Sequence, residues 1–460
     1  MNMHTANSFQ GKRVTVMGLG RFGGGAGVTR WLASQGAHVL LTDMQSASEL
    51  QESIAGIQDL IDQRKVTLHL DGHDAADFSP LRCDLVIANP AVPKPWSNPY
   101  ITAAINSGVC VTTEIRLLIE QIPRNRAIAV TGSAGKSTTT AMIHHILRKA
   151  APPNTRAHLG GNIGGSLLNH LDEIQPNDWI VLELSSAMLY WLSDARDAQG
   201  WSPHIAVLTN ISPNHIDWHG SFEHYKDSKL NIFRYQKPGD HKTTAPTIAD
   251  IESLQRIGLS IPGIHNQINA HAAIAAAMLC ARSDPSFPID AQTAATLLND
   301  FAGLPHRLQL VAQHDGMRFY NDSKSTTPEA TLLAVDAFDD PAAIHLIAGG
   351  YDKGSDLTPI AKLASTIAGL YTIGTTGPTL AHTAQQITAS NIPGTAVFSC
   401  ETLARAVNTA MSRMKPNDIL LLSPGCASWD QFTNYEQRGE AFTAMVNASN
   451  AHATAATCKA

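Results

Sequence analysis

The chain has little that would grip nucleic acid, cross a membrane or brace itself covalently. Among its 460 residues, 33 Lys and Arg stand against 39 Asp and Glu, a formal net charge of -6, and no basic arm or stripe appears. Nucleic-acid backbones are held by clustered cations, so no nucleic-acid partner is expected. No uninterrupted apolar run reaches 18 residues, the length an ordinary membrane-spanning helix needs. The opening MNMHTANSFQ has neither a positive start nor an apolar core. The expectation is a cytoplasmic protein without stable membrane insertion. Cys83, Cys110, Cys280, Cys400, Cys426 and Cys458 follow no ligand-like spacing and read as separate thiols of a reducing compartment. No repeat of solenoid length stands out.

What is present suits several packed cores. A hydrophobic fraction of 43% spread over this length implies two to four domains. The expected division is 1–124, 125–302 and 303–460, each an α/β unit. In the first, Arg13 to Met17 reads as a strand, followed by Gly18-Leu19-Gly20-Arg21-Phe22-Gly23 and the further glycines Gly24, Gly25 and Gly27. A second strand, Val39 to Thr42, ends at Asp43, where an acid commonly meets a ribose. The pattern favours nucleotide or dinucleotide contact, with a purely structural glycine turn as the alternative. Leu85 to Ala88 is a further strand, leading into the stiff loop Asn89 to Pro95, and Val109 to Thr112 is another.

The central segment carries the most chemistry. Thr131-Gly132-Ser133-Ala134-Gly135-Lys136-Ser137-Thr138-Thr139 lies between the apolar strand Ala127 to Val130 and a helical stretch from Thr138 to Lys149. Its glycine spacing is shorter than a Walker A motif, but the physical parts are the same. Glycines between strand and helix let backbone amides turn toward phosphate at the positive helix end. Lys136 reaches the outer phosphates and the Ser137 hydroxyl suits magnesium. Glu183 follows the strand Trp179 to Leu182, and Asn210 and His215 follow Ala206 to Thr209. Carboxyl ends of parallel strands are where such sheets place functional groups. Ala270 to Leu279 reads as a compact helix.

In the last segment, Leu308 to Val311 and Met317 to Tyr320 flank His314-Asp315-Gly316, a hairpin signal. The strands Ile344 to Ala348, Gly369 to Ile373, Ala396 to Phe398 and Ile419 to Leu422 alternate with helical patterns, which predicts a mainly parallel sheet. The Asn-, Ala- and Thr-rich tail after Phe442 is expected to end in a frayed terminus.

Taken together, these motifs resemble the Mur ligase family. The resemblance rests on TGSAGKSTT, on Gly161-Asn162-Ile163-Gly164, on Glu183-Leu184-Ser185-Ser186, and on Asn210 to Asp217. It continues through His265-Asn266, His306-Arg307, Asn321-Asp322-Ser323-Lys324, Asp352-Lys353-Gly354 and Ser423 to Ser428, as far as Arg438-Gly439-Glu440. It implies a three-domain architecture: an N-terminal Rossmann-like domain for a UDP-sugar, a central P-loop ATPase-like domain, and a C-terminal Rossmann-like domain for the amino acid. The implied activity is ATP-dependent amide formation through an acyl phosphate, most closely that of members adding D-glutamate to UDP-N-acetylmuramoyl-L-alanine. A related ligase using another amino acid or a modified donor is the alternative, because Ala134 and the Arg21 to Gly27 loop depart from the commoner family patterns. A scaffold that kept the fold without activity is the non-enzyme alternative.

The resemblance also implies roles. Gly132, Ser133, Ala134, Gly135, Lys136, Ser137, Thr138, Asn269, Arg307 and Asp322 are expected at ATP, and Arg21, Phe22, Asp43, Asn89, Asn162 and Ser185 at the UDP donor. Lys324, Thr326, Lys353, Ser428 and Tyr435 are expected at the incoming amino acid. Magnesium is expected on Ser137, Glu183, His215 and Lys229, and catalysis on Lys136, Glu183, His215 and Lys229. Lys229 matches the lysine that the family carbamylates; a solvated helix lysine is the plain alternative, and Lys226 competes for the match. A monomer closing around its substrates is expected.

Overall fold

The computed structural model describes residues 9–20, 24–194, 199–351, 354–389 and 396–457. They form three sheets. The first is parallel, with strands β1 (Arg13–Met17), β2 (His38–Thr42), β3 (Val66–His69), β4 (Leu85–Ala88) and β5 (Cys110–Thr112) in the order β3-β2-β1-β4-β5. The second is also parallel: β6 (Ala127–Thr131), β7 (Ala157–Gly161), β8 (Trp179–Glu183), β9 (Ile205–Leu208) and β10 (His241–Thr244), in the order β10-β9-β6-β8-β7. The third contains β11 (Gln309–His314), β12 (Met317–Asn321), β13 (Ile344–Gly349), β14 (Gly369–Ile373), β15 (Ala396–Glu401) and β16 (Ile419–Leu422), in the order β11-β12-β16-β13-β14-β15. Only β11 runs antiparallel.

Residue type explains these positions. Every residue of β6 and β8 is buried, as expected of central parallel strands covered on both faces. β11 and β12 turn at Asp315 and Gly316, whose φ values of 50° and 77° match the mirror-image turn that suits a hairpin's twist. Three strands escape the sequence pattern: β3, β7 and β10. All are sheet edges, where one side is open and polar or glycine residues such as His241-Lys242-Thr243-Thr244 and Gly160-Gly161 are tolerated. The central helix begins at Lys136, earlier than its apolar stripe suggests, and runs to Ala150. The alanine-rich helix likewise extends over Ile264–Ser283. After Phe442 the helix Tyr435–Thr457 continues as far as Thr457, where the sequence predicts a frayed tail, since alanine is the best helix former, and the last three residues lie outside the described residues.

The chain divides into two compact units, Met1–Leu254 with Ile268–Leu298, and Gln255–Gln267 with Asn299–Ala460. The first two sheets share one unit, and one apolar cluster joins Val14, Val16 and Leu41 to Ala129, Ile180 and Leu182. Arg116, 6% exposed, fastens them further by donating to the carbonyls of Trp191, Ser193 and Gln199. In the other unit, Leu346 and Leu421 face one apolar cluster and Ile347 and Leu422 the opposite one, the alternation a two-faced sheet requires. Among the described residues no helix is long and apolar enough to cross a membrane.

Arg438 holds the loops of this second unit together. It is 1% exposed and donates to Ser323 Oγ and to the carbonyls of Ser323, Cys426 and Ala427. Burial lowers its pKa to about 10, still high enough to keep the guanidinium charged at neutral pH. Arg438→Met leaves those buried acceptors without a donor, so urea denaturation should show a loss of about 3 kcal/mol. An unchanged unfolding midpoint would contradict the clamp.

Candidate functional site

The carboxyl ends of β6, β8 and β9 converge on the loop from Gly132 to Gly135. Its shape follows from two glycines. Gly132 has φ 154° and Gly135 φ 80°, and a side chain at either would collide with Thr209 or Asn269 respectively. Asn210 replaces loop-to-loop contacts with polar ones: its Oδ1 accepts from Ala134 N at 3.0 Å and its Nδ2 donates to Ala134 O at 3.1 Å. Thr209 Oγ1 donates to the same carbonyl at 2.5 Å. The Ser133 amide donates to Asn210 O, and the Ser133 hydroxyl meets Tyr225 at 2.7 Å. Ala134 thus loses no backbone support through its short side chain. Gly135 caps the helix Lys136–Ala150, so Lys136, Ser137 and Thr138 occupy its first turn, the positive end. Lys136 Nζ donates to Ser133 O at 3.1 Å, and Asn269 Oδ1 accepts from Thr139 at 3.2 Å.

Lys229 is buried against this loop, 1% exposed. Its Nζ donates to Gly132 O at 2.7 Å and lies 4.8 Å from the Tyr225 ring centre. On the helix Phe222–Arg234, Tyr225, Ser228, Lys229 and Ile232 form the inward face, whereas Lys226 is exposed. The solvated-lysine alternative therefore does not hold. Burial, reinforced by the charge of Lys136 and opposed by Glu183, lowers the Lys229 pKa to about 7. Glu183 is 1% exposed; its Oε1 accepts from Asn162 Nδ2 at 2.9 Å, while Oε2 is buried without a hydrogen-bond partner. A carboxylate oxygen left without a partner in the interior is costly and suits a bound cation.

His215 is exposed, with φ 50°, at the start of the helix Ile216–His219. Its ring lies 6.3 Å from that of Tyr225. His219, absent from the sequence expectations, is buried between Ser186 Oγ and His224 Nδ1, each 2.9 Å away. Burial and the neighbouring His224, His215 and Lys229 lower its pKa to about 4, so it is neutral at physiological pH. Tyr225 carried a readable signal in its helical spacing from Lys229, whereas His219 meets Ser186, which is remote in sequence. Among the described residues, no group of three or more His, Cys, Asp or Glu is arranged to hold a metal. The orphaned Glu183 oxygen suits a magnesium ion that takes most of its ligands from phosphate and water, as this cation commonly does, and Ser137 stands separately in the first turn of the helix Lys136–Ala150.

On the first sheet, Asp43 accepts from Gly20 N at 3.1 Å and Gln45 N at 2.9 Å. Asn89 donates to Gly18 O at 3.4 Å and accepts from Ala91 N at 2.9 Å. These two residues border the same glycine turn, at the point where strand order reverses between β1 and β4. Arg21 and Phe22 lie outside the described residues. Ser185 Oγ caps the helix Ser186–Trp191 by accepting from Met188 N at 3.1 Å.

In the second unit, Asp322 is 6% exposed, with Oδ1 accepting from Leu308 N and Oδ2 from Ser325 and Ser423 hydroxyls. Burial raises its pKa to about 6 despite these bonds and the charge of Arg307. Lys324 is exposed, its Nζ 5.2 Å from the Tyr435 ring centre. Burial, with Glu436 beside it, raises the Tyr435 hydroxyl to about 12. Thr326 lines a small cavity with Tyr351, Thr376 and Cys426, while Ser428 is buried nearby in sequence at 2% exposure. Lys353 lies outside the described residues.

Comparison with known proteins follows the same division. Residues 130–255 match the family model described as Mur ligase middle domain, and residues 306–426 match the Mur ligase, glutamate ligase domain. The chain is 33% identical to the UDP-N-acetylmuramoylalanine--D-glutamate ligase of Geobacillus kaustophilus, over 97% of this chain and 99% of that protein. It is 34% identical to the protein of the same name from a Roseiflexus species, over 95% and 98% respectively. The crystal structure of MurF ligase from Thermotoga maritima in complex with ADP aligns with a TM-score of 0.51 at 14% identity, covering 97% of both chains. That likeness speaks for the fold. With two family models spanning more than half of its length and full-length relatives above 30% identity, the chain belongs to the Mur ligase family.

Proposed function

We propose that this protein joins D-glutamate to UDP-N-acetylmuramoyl-L-alanine at the expense of ATP, giving ADP and phosphate, a step of peptidoglycan synthesis. The end-to-end similarity to ligases of that name supports the substrates. One structural observation carries the chemistry: the buried Lys229 amine and the unpartnered Glu183 oxygen stand at the mouth of a phosphate loop. We assign 1–124 to the donor, 125–302 to ATP and 303–460 to the amino acid, in a cytoplasmic monomer.

A carboxylate is a poor acyl donor until one oxygen is phosphorylated. The donor carboxylate attacks the γ-phosphorus of ATP, the bond to the β-phosphate oxygen breaks, and ADP leaves with an acyl phosphate formed. The D-glutamate amine then adds to the acyl carbon, loses a proton, and expels phosphate as the amide forms. Loop amides and Lys136 hold the transferring phosphoryl group in place and offset its charge. Ser137, Glu183 and His215 are the groups that would hold magnesium, which supplies Lewis-acid polarisation of the phosphate oxygens. Lys324, Thr326, Lys353, Ser428 and Tyr435 receive the glutamate, cations and hydroxyls answering its two carboxylates.

Lys229 suits carbamylation. With a pKa lowered to about 7, much of its amine is uncharged at neutral pH. The nitrogen lone pair adds to carbon dioxide, a proton leaves, and an ammonium that would repel a cation becomes a carboxylate that orients one. Below pH 7 the ammonium form prevails and carbamylation slows.

Four outcomes test this account. With both carboxylate oxygens of the donor carrying oxygen-18, one label should appear in the released phosphate; unlabelled phosphate would exclude the acyl phosphate. Lys136→Ala should lower kcat by roughly a hundredfold, about 3 kcal/mol of transition-state stabilisation, in a protein that still folds. Lys229→Ala should lose activity and regain part of it with added formate or acetate, and wild-type enzyme stripped of carbon dioxide should recover faster at pH 8 than at pH 6. No rescue, together with equal recovery at both pH values, would remove the carbamate. Lys353→Ala should raise the KM for D-glutamate at least tenfold, roughly the worth of one charge-assisted bond, with that for ATP little changed; parallel losses with a lower Tm would mean a structural role instead.

A further inference from the structure

Two stretches far apart in the chain meet beside His215. One is the loop after β4, which starts at Asn89 against the glycine turn of the first sheet. The other is the short helix Ile216–His219 of the central segment. Trp218 joins them twice. Its indole Nε1 donates to Pro90 O at 3.1 Å, and its backbone carbonyl accepts from Lys94 N at 3.3 Å. Lys94 has φ 45°, a conformation a non-glycine residue adopts only when its surroundings hold it there.

Aromatic packing closes the same junction. Trp96, from the loop, has its ring 5.7 Å from Trp218, 5.4 Å from Tyr190 and 4.5 Å from His224. Tyr190 and Trp218 lie 5.7 Å apart. Such edge-on contacts add directional preference to simple burial. Trp218 is 7% exposed, so the loop covers a side chain only three residues beyond His215. Those three residues form a single turn, with His219 N bonded to His215 O and Gly220 N to Ile216 O, and Gly220 ends it at φ 80°. A displacement of Trp218 must therefore move His215.

We propose that Trp218 is a positioning residue that couples the loop of Asn89 on the first sheet to the orientation of His215, so that donor binding sets His215 for the reaction. The connection is continuous: the Gly18 carbonyl to Asn89, Asn89 along the chain to Pro90 and Lys94, both of these to Trp218, and Trp218 through one turn to His215. It rests on the assignment of the donor to the first sheet and of His215 to the reacting end. Nothing in the sequence motifs marks Trp96 or Trp218, because their roles arise only when the two loops meet.

Hydrogen exchange on the full-length protein, with UDP-N-acetylmuramoyl-L-alanine and no ATP, tests the coupling. In the wild type the donor should slow exchange of the His219 and Gly220 amides, which report the turn behind His215. Trp218→Phe keeps a ring for Trp96 but lacks the indole N–H. It should lose most of that protection and show a donor KM about fivefold higher, the worth of one ordinary hydrogen bond, with the KM for ATP within about twofold. Trp96→Leu should shift the donor KM in the same direction. Donor binding without protection in the wild type, or full protection in Trp218→Phe, would overturn the coupling while leaving the enzyme assignment standing. Equal loss for both substrates with a lower Tm would reduce Trp218 to packing. Failure of the wild type to bind this donor would overturn the assignment of the donor, and the coupling with it.

Discussion

The burial of one lysine organises the central site. Lys229 enters the interior with its amine on the Gly132 carbonyl, and a charged ammonium there is unfavourable because its hydration has been stripped away. Glu183 relieves that cost in part and Lys136 adds to it. The positions of the neighbours follow from the same arrangement: Tyr225 lies beneath the amine and bonds the Ser133 hydroxyl, while Thr209 and Asn210 fix the loop from the adjacent strand. The loop is held by its own hydrogen bonds, the kind of preorganisation that the proposed phosphoryl transfer rewards.

The second unit solves a similar problem with a guanidinium. Arg438 binds the carbonyls of Cys426 and Ala427 to the segment that carries Lys324, so residues remote in sequence stand at the carboxyl end of one sheet. Asp322 is tied to three groups at once, and its raised pKa records how deeply it is buried. Neither residue is free to rearrange without leaving buried polar atoms unpaired.

Much of this was legible in the sequence, for physical reasons. Central strands such as Trp179 to Leu182 are apolar on both faces, and the hairpin at Asp315-Gly316 announces itself by residues that accept positive φ. The turn from Gly132 to Gly135 reads from glycine spacing between strand and helix. Edge strands such as His241–Thr244 do not, because a half-exposed strand carries polar residues that resemble a loop. In the candidate site, helical spacing separated Lys229 from Lys226 only once burial was known. His219, Trp96 and Trp218 were invisible for a different cause: their partners are contacts between segments, which no local pattern encodes.

In the proposed function, the loop of Gly132 to Gly135, the buried Lys229 and the first sheet serve one amide-forming reaction with D-glutamate. The most direct measurement is mass spectrometry of the products formed by the purified protein with ATP, magnesium, UDP-N-acetylmuramoyl-L-alanine and D-glutamate, with L-glutamate and other amino acids as parallel samples. The account predicts one ADP, one phosphate and one UDP-N-acetylmuramoyl-L-alanyl-D-glutamate per turnover, and no product when any substrate is omitted. Turnover with another amino acid in place of D-glutamate, or ATP cleavage that leaves the donor unchanged, would contradict it.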